Sequence, residues 1–283
     1  MQLIDCLNQN KQIQDFIKQL APQTQQMLTG LTGSAKTLFL VNLINKRQQP
    51  LLVVEPDSYH ASQLADDLGQ LLPSNQVQLF LLEASIATQI AISSPESLSQ
   101  RLSALDFLRE QKPGVVITSI AGLEYVLPPM ETFTNSHLHF KVGQEMQLEQ
   151  LPDQLISMGY RRDSLVSSPG EFAIRGDIFD IYPLTRDQPL RIEFFGDEID
   201  AIHEFDSETQ RSQATIDEIT LSPASDQIVS SERLHLVGQQ VQQALAEHIK
   251  KVKDQQIIKN LQENYQADLD SLLVGQRVDI VGA

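Results

Sequence analysis

Along the first third of the chain, apolar positions alternate between helical spacing and short continuous runs. Residues 11–20 carry a helical pattern, and the short stretch Gln26-Met27-Leu28-Thr29 after them is expected to be extended. A turn over Gly30 to Ser34 feeds a helix from Lys36 to Lys46, with Leu38, Leu40, Val41 and Ile44 as its apolar positions. The run Leu51-Leu52-Val53-Val54 predicts a strand buried on both faces. Pro56-Asp57-Ser58 ends that strand and caps a helix reaching about Leu72. Val77 to Leu82 is expected as a strand, and Ser94-Pro95-Glu96 as the start of a helix to about Glu110. Val115 to Thr118 follows as a second buried strand, and a short helix reaches Tyr125. Such alternation implies an α/β, parallel-sheet domain with a phosphate-loop-like start.

The pattern changes at Pro128-Pro129. From Leu138 onward the spacing is that of short strands and hairpins, with one helix near Leu151 to Met158. Strands are predicted over Glu171–Tyr182, Leu190–Phe195, Glu198–Phe205 and Ile216–Leu221. Gly170, Pro183 to Pro189, and Gly196-Asp197 supply turn chemistry between or beside them. This is an inserted α+β domain on an antiparallel sheet. After Pro223 a Gln-, Lys- and Leu-rich helix is expected from Glu232 to about Leu261, with Leu234-Val237-Val241 and Leu245-Ile249-Val252 at helical spacing. The expected domains are 1–128, 129–223 and a helical segment, 224–283, that returns to the first. Val274 to Ala283 holds no stop signal, so the chain is expected to be part of a longer protein.

Composition narrows the function classes. The chain has 283 residues, enough for one large or two modest cores, and no apolar run approaches the roughly 20 residues needed to cross a bilayer. Met1 to Gln14 has no signal-peptide pattern, so the expected location is the cytoplasm, with no membrane partner. A lone Cys6 excludes an internal disulfide and a multi-cysteine zinc site. The net charge of −16 argues against a main DNA-binding surface, which needs clustered Lys and Arg, and fits solubility or a partner with a basic face.

The first candidate chemistry is Gly30-Leu31-Thr32-Gly33-Ser34-Ala35-Lys36-Thr37, which matches G-x-x-x-x-G-K-[ST] except at Ala35. In a working loop the backbone N–H groups wrap the phosphates, Lys36 reaches the outer ones and Thr37 binds Mg²⁺. A Cβ at position 35 crowds that path, and a left-handed backbone there would cost alanine about 1–2 kcal/mol. Hydrolysis also needs an acid at the end of a buried strand. The named strands end in Glu55-Pro56 and Thr118-Ser119, and Glu55 follows the strand directly after the loop's own helix, an unusual place for it. Asp66-Asp67 lies in a helical pattern. The loop is therefore expected to be a structural turn, with no cofactor for this chain.

The second candidate is Arg191-Ile192-Glu193-Phe194-Phe195-Gly196-Asp197-Glu198-Ile199-Asp200. Alternation puts Ile192 and Phe194 on one face and Arg191, Glu193 and Phe195 on the other. Phe195 then either stands among charges as a protein-binding hot spot or tucks under a neighbouring loop. Arg175 lies on the neighbouring strand with Phe172 and Ile174, and past Gly176 a bulge is expected to blur the parity. His137 and His139 lack a third metal ligand nearby. Asp177 and Asp180 lack a group to orient as nucleophile, and Arg161-Arg162 is expected to be surface charge.

Glu171-Phe172-Ala173-Ile174-Arg175-Gly176-Asp177-Ile178-Phe179-Asp180-Ile181-Tyr182-Pro183, followed by Leu190 to Asp200, resembles domain 2 of the excision-repair protein UvrB, and the phosphate loop with its Leu-Leu-Val-Val strand resembles domain 1. UvrB has an intact loop and an aromatic-rich hairpin after it. Here Leu79 to Ser94 holds only Phe80 as an aromatic. With Phe205 to Ser212, these departures resemble the N-terminal UvrB-homology module of the bacterial transcription-repair coupling factors (Mfd). The resemblance implies domains 1a-like, 2-like and 1b-like in turn. It also implies a non-catalytic module that recruits UvrA through Arg175, Arg191 and Phe195. RNA polymerase binding, an ATP- and Mg²⁺-dependent DNA motor and a C-terminal domain that masks the UvrA surface are implied for the rest of such a protein. The alternative is a nucleotide-dependent, UvrB-like DNA-repair enzyme.

Overall fold

The computed structural model describes residues 11–20, 24–82, 94–228, 231–250, 265–266 and 269–270. Cys6, most of the aromatic-poor stretch before Ser94, the last part of the expected C-terminal helix and the segment from Val274 lie outside them. Two compact units are formed, one drawn from Met1–Leu82 and Ser99–Val126, the other from Glu83–Leu98 and Leu127–Ala283.

The first unit is mixed α/β on a parallel sheet. Helix α1 (Lys11–Gln19) precedes α2 (Ser34–Arg47), and strand β1 (Pro50–Glu55) follows. Helix α3 (Ser58–Gly69) is capped by Asp57, whose carboxylate accepts from the His60 N–H at 2.9 Å. Strand β2 (Val77–Phe80), helix α4 (Pro95–Arg109), strand β3 (Gly114–Ser119) and the single-turn α5 (Ile120–Leu123) complete the alternation. The strand order is β1-β3-β2, all parallel. Val41, Ile44, Ala61, Leu68, Val115 and Ile117 sit at the centre of its core.

One expectation is corrected here. Leu51–Val54 is not buried on both faces: β1 has one neighbour among the described strands, and Leu52 and Val54 are exposed. β3, paired on both sides, is the fully buried strand. Gln26 to Thr29 joins no strand, and Met27 and Leu28 are exposed. An extended segment without a ladder partner has nothing to hold it in the sheet.

The second unit carries the antiparallel sheet. Helix α6 (Met130–Asn135) leads to β4 (Leu138–Lys141), and α7 (Leu151–Ser157) follows. Strands β5 (Arg161–Arg162), β6 (Glu171–Arg175), β7 (Ile178–Ile181), β8 (Leu190–Phe195), β9 (Glu198–Phe205) and β10 (Ser212–Ile216) form one sheet in the spatial order β10-β9-β8-β7-β6-β5. Its pairs are antiparallel except β5 with β6. β11 (Glu218–Leu221) pairs with β4 as a separate antiparallel ribbon. Helix α8 (Ser231–Ile249) follows.

One sheet face is the core. Phe172, Phe179, Ile181, Leu190, Ile192, Phe194 and Ile202 pack with Leu151 and Leu155 of α7 and with Phe140 and Leu221 of the ribbon. Phe140 and Phe179 lie 5.7 Å apart between ring centroids. The Tyr160 hydroxyl, buried with them, donates to the Ser222 carbonyl at 2.7 Å.

Candidate functional site

The segment Glu171–Tyr182 is a hairpin, not one strand with a bulge. Arg175 pairs with Ile178, leaving Gly176-Asp177 as a two-residue turn. Gly176 has φ +61°, and a glycine at the first central position is what a type II′ hairpin turn requires. Phe195 pairs with Glu198 around a second turn of the same composition, Gly196-Asp197, where Gly196 has φ +64°. The bulge lies in β9 instead. Glu193 pairs with Ala201 and Phe194 with Ile199, so Asp200 is the extra residue.

These turns fix the parity. Ile192 and Phe194 are buried, whereas Phe195 is 82% exposed on the opposite, outer face. The cross-strand row Arg175–Ile178–Glu193 occupies that same face beside it. Of the two places open to Phe195, the structure selects the exposed one. One strand, β7, lies between the strands of Phe195 and Arg175, which are therefore roughly 10 Å apart at the usual strand spacing.

The next row inward is Ala173–Asp180–Arg191–His203. Asp180 is 0% exposed and holds both arginines. Arg175 Nη2 donates to Oδ2 at 2.7 Å, while Arg191 Nε and Nη2 donate to Oδ1 and Oδ2 at 2.7 and 3.0 Å. Arg191 Nη1 donates to the Gln210 carbonyl at 3.2 Å, and its guanidinium lies 4.6 Å from the Phe205 ring centre. The bonded Asp180 carboxylate, with Glu193 nearby, pushes the Arg191 pKa above its ordinary value against the cost of burial. The side chain of Arg191 is 14% exposed and that of Arg175 is 47%.

Loops cover this end of the outer face. Val166, Ala173 and Phe205 form a small second core with Tyr182 against it. Asp206 shapes the covering turn by accepting from the N–H groups of Glu208 and Thr209 at 3.1 and 2.7 Å. The Gln210 amide reaches back to the Val166 carbonyl at 3.1 Å. Sequence reasoning weighed Asp180 only as half of a carboxylate pair with Asp177, and gave Phe205 and Gln210 no role beside Arg191. Asp180 left a signal: it is the one charge in Ile178-Phe179-Asp180-Ile181, opposite in parity to two core side chains. A carboxylate so placed needs a cationic partner.

The other candidates separate. Asp177 sits in the hairpin turn and Asp180 in the sheet, so they are no carboxylate pair. His137 precedes β4 and pairs its Nδ1 with the Phe133 carbonyl at 2.8 Å, while His139 Nδ1 lies 3.2 Å from the Thr220 hydroxyl. Among the described residues no group of three or more His, Cys, Asp and Glu could hold a metal ion. Arg161 is paired with Glu171.

In the phosphate-loop turn, Ala35 lies within α2 and is absent from the positive-φ positions. The left-handed strain entertained for it does not arise, because the helix has already begun at Ser34. Lys36 Nζ forms an ion pair with the Glu55 carboxylate, which is 6% exposed. Thr37 is buried. No helix of the described residues is long and apolar enough to cross a membrane.

Comparison with known proteins fits this layout. Residues 138–226, which contain the outer face, match the family model of the UvrB interaction domain. The chain is 36% identical over 252 residues to the transcription-repair-coupling factor of Bacillus subtilis strain 168, covering 89% of this chain and 21% of that protein. It is 32% identical over 265 residues to the transcription-repair-coupling factor of Staphylococcus aureus strain Mu50, covering 94% of this chain and 22% of that protein. The chain thus spans about a fifth of the length of the curated relatives it matches.

Proposed function

On the premise that residues 138–226 belong to the UvrB interaction domain family and that nearly the whole chain is related to transcription-repair-coupling factors, we propose that it is a non-catalytic docking module that binds UvrA. One observation carries the reading: Phe195 stands 82% exposed on a paired strand, on the same face as the half-exposed Arg175, inside that domain. An exposed aromatic on a rigid element beside a guanidinium has the chemistry of an interface anchor. The neighbouring Ile178, exposed on the same face, extends the apolar area.

On the same proposal the phosphate-loop turn is a retained piece of scaffold. Supporting this, Lys36 is engaged by Glu55 and Thr37 is buried, so neither side chain is free for a triphosphate and its Mg²⁺. RNA polymerase binding, ATP-driven movement on DNA and masking of the docking face by a C-terminal domain are assigned to other parts of a full-length protein. The cytoplasm is the proposed location.

Co-elution of UvrA with this chain tests the reading. The unaltered chain should retain UvrA, and the Arg175→Ala/Phe195→Ala variant should lose it while keeping its circular dichroism spectrum. Equal retention by both would reject the assignment. Calorimetry with Mg²⁺-ATP tests the alternative: heat abolished in Lys36→Ala would establish a nucleotide-dependent module instead.

A further inference from the structure

Arg175, Arg191 and Phe195 are on one face, yet they are not equally available to a partner. Arg191 has each of its three nitrogens engaged, two on Asp180 and one on the Gln210 carbonyl, and its plane lies against Phe205. Arg175 uses only Nη2, on the same carboxylate, and nearly half of its side chain is exposed. Asp180 itself has no exposed surface and cannot touch a partner.

We propose that Arg191 is a positioning residue rather than a contact: clamped by Gln210 and Phe205, it anchors Asp180, and Asp180 sets the direction in which Arg175 faces the partner. The inference rests on the docking reading above. Arg175 and Phe195 then form the contact proper, with Ile178 between their strands. The matching surface would place an acidic side chain or a carbonyl where a free N–H group of the Arg175 guanidinium can reach it, next to an apolar pocket for Phe195. Arg175, held through one nitrogen, keeps N–H groups for a partner's acceptor, whereas Arg191, already bidentate on Asp180, cannot offer its fork without breaking its own pair.

The geometry makes sense of the covering loop. The turn from Asp206 to Gln210 places the Gln210 carbonyl on Arg191. It covers the outer face over Arg191 and serves as the wall against which that arginine is fixed. A preset guanidinium loses less rotamer freedom on binding than a free one.

A double-mutant cycle on UvrA affinity, read by calorimetry with the intact chain, tests this. Asp180→Asn should weaken binding about tenfold, Arg175→Ala about thirtyfold, and the two together no more than about thirtyfold, because one acts through the other. Multiplication of the two losses toward about three-hundredfold would overturn the proposal, as would unchanged affinity in Asp180→Asn. If Asp180→Asn unfolds, Phe205→Leu keeps the apolar filler and removes only the ring against Arg191. It should weaken binding about threefold in the unaltered chain and not at all in Arg175→Ala; an equal effect in both backgrounds rejects the proposal. Failure of the unaltered chain to bind UvrA removes the docking reading, and this inference with it.

Discussion

Lys36, the lysine of the phosphate-loop sequence, forms an ion pair with Glu55 at the end of β1, across the junction between α2 and the parallel sheet. Glu55 is the acid whose position directly after the loop's own helix looked unsuited to holding Mg²⁺. Its carboxylate engages the amino group that, in an intact loop of this type, reaches the outer phosphates.

Lys36→Met removes the cation and leaves a buried carboxylate unpaired. Because Lys36 is 44% exposed, solvent relieves part of the cost. The expected loss is on the order of 1–2 kcal/mol, read as a lower urea midpoint at unchanged slope. UvrA binding should be unaffected. A Lys36→Met protein as stable as the parent would show that the ion pair contributes nothing.

Phe195→Ala separates binding from folding more sharply. The ring is 82% exposed, so its removal should change stability by no more than about 0.5 kcal/mol. Affinity for UvrA should fall by about 2 kcal/mol or more, roughly thirtyfold. Phe195→Leu should keep an intermediate affinity. A thermal shift as large as the binding loss would mean that Phe195 serves the fold.

The strands flanking this residue were legible because alternation and turn chemistry agreed. Leu190–Phe195 and Glu198–Phe205 fall at the expected boundaries, with Gly196-Asp197 between them. Glu171–Tyr182 was expected as one strand, since Arg175-Gly176-Asp177-Ile178 has strand-compatible residues on both sides; only the pairing of Arg175 with Ile178 reveals the turn. The exposure of Leu52 and Val54 was hidden for a related reason. A run of four aliphatic residues does not disclose how many neighbours its strand will have. The pairing of Asp180 with two arginines was hidden because its partners come from β6 and β8, and cross-strand register is not written in local spacing.

The two Gly-Asp turns give a test of register. At Gly196 a Cβ would meet nothing within 4 Å, so a substitution pays only for the left-handed backbone. Gly196→Ala should cost about 1–2 kcal/mol, and Gly196→Asn less, because asparagine tolerates that conformation. Urea unfolding of the two variants would rank them. An alanine variant equal to the parent would show that the turn relaxes to another form.

Glu171 gives the pH dependence its direction. Burial raises its carboxyl pKa, but the N–H groups of Ser167 and Ser168, at 3.0 and 2.9 Å, and the Arg161 guanidinium more than offset this and hold it below the ordinary value of 4.5. A carboxylate whose pKa is lowered in the folded state stabilises the fold above its unfolded pKa. That contribution is lost as the pH falls through the lower, folded value. Glu171→Gln should therefore be less stable than the parent at pH 7, by about 1–3 kcal/mol, since its single amide oxygen leaves an NH₂ group facing either the serine donors or the Arg161 guanidinium. The gap should hold down to about pH 4.5 and narrow below it, as the parent's carboxylate takes up its proton. Urea midpoints of both proteins from pH 7 to pH 3 check this; a constant gap across that range would place the acid sensitivity elsewhere.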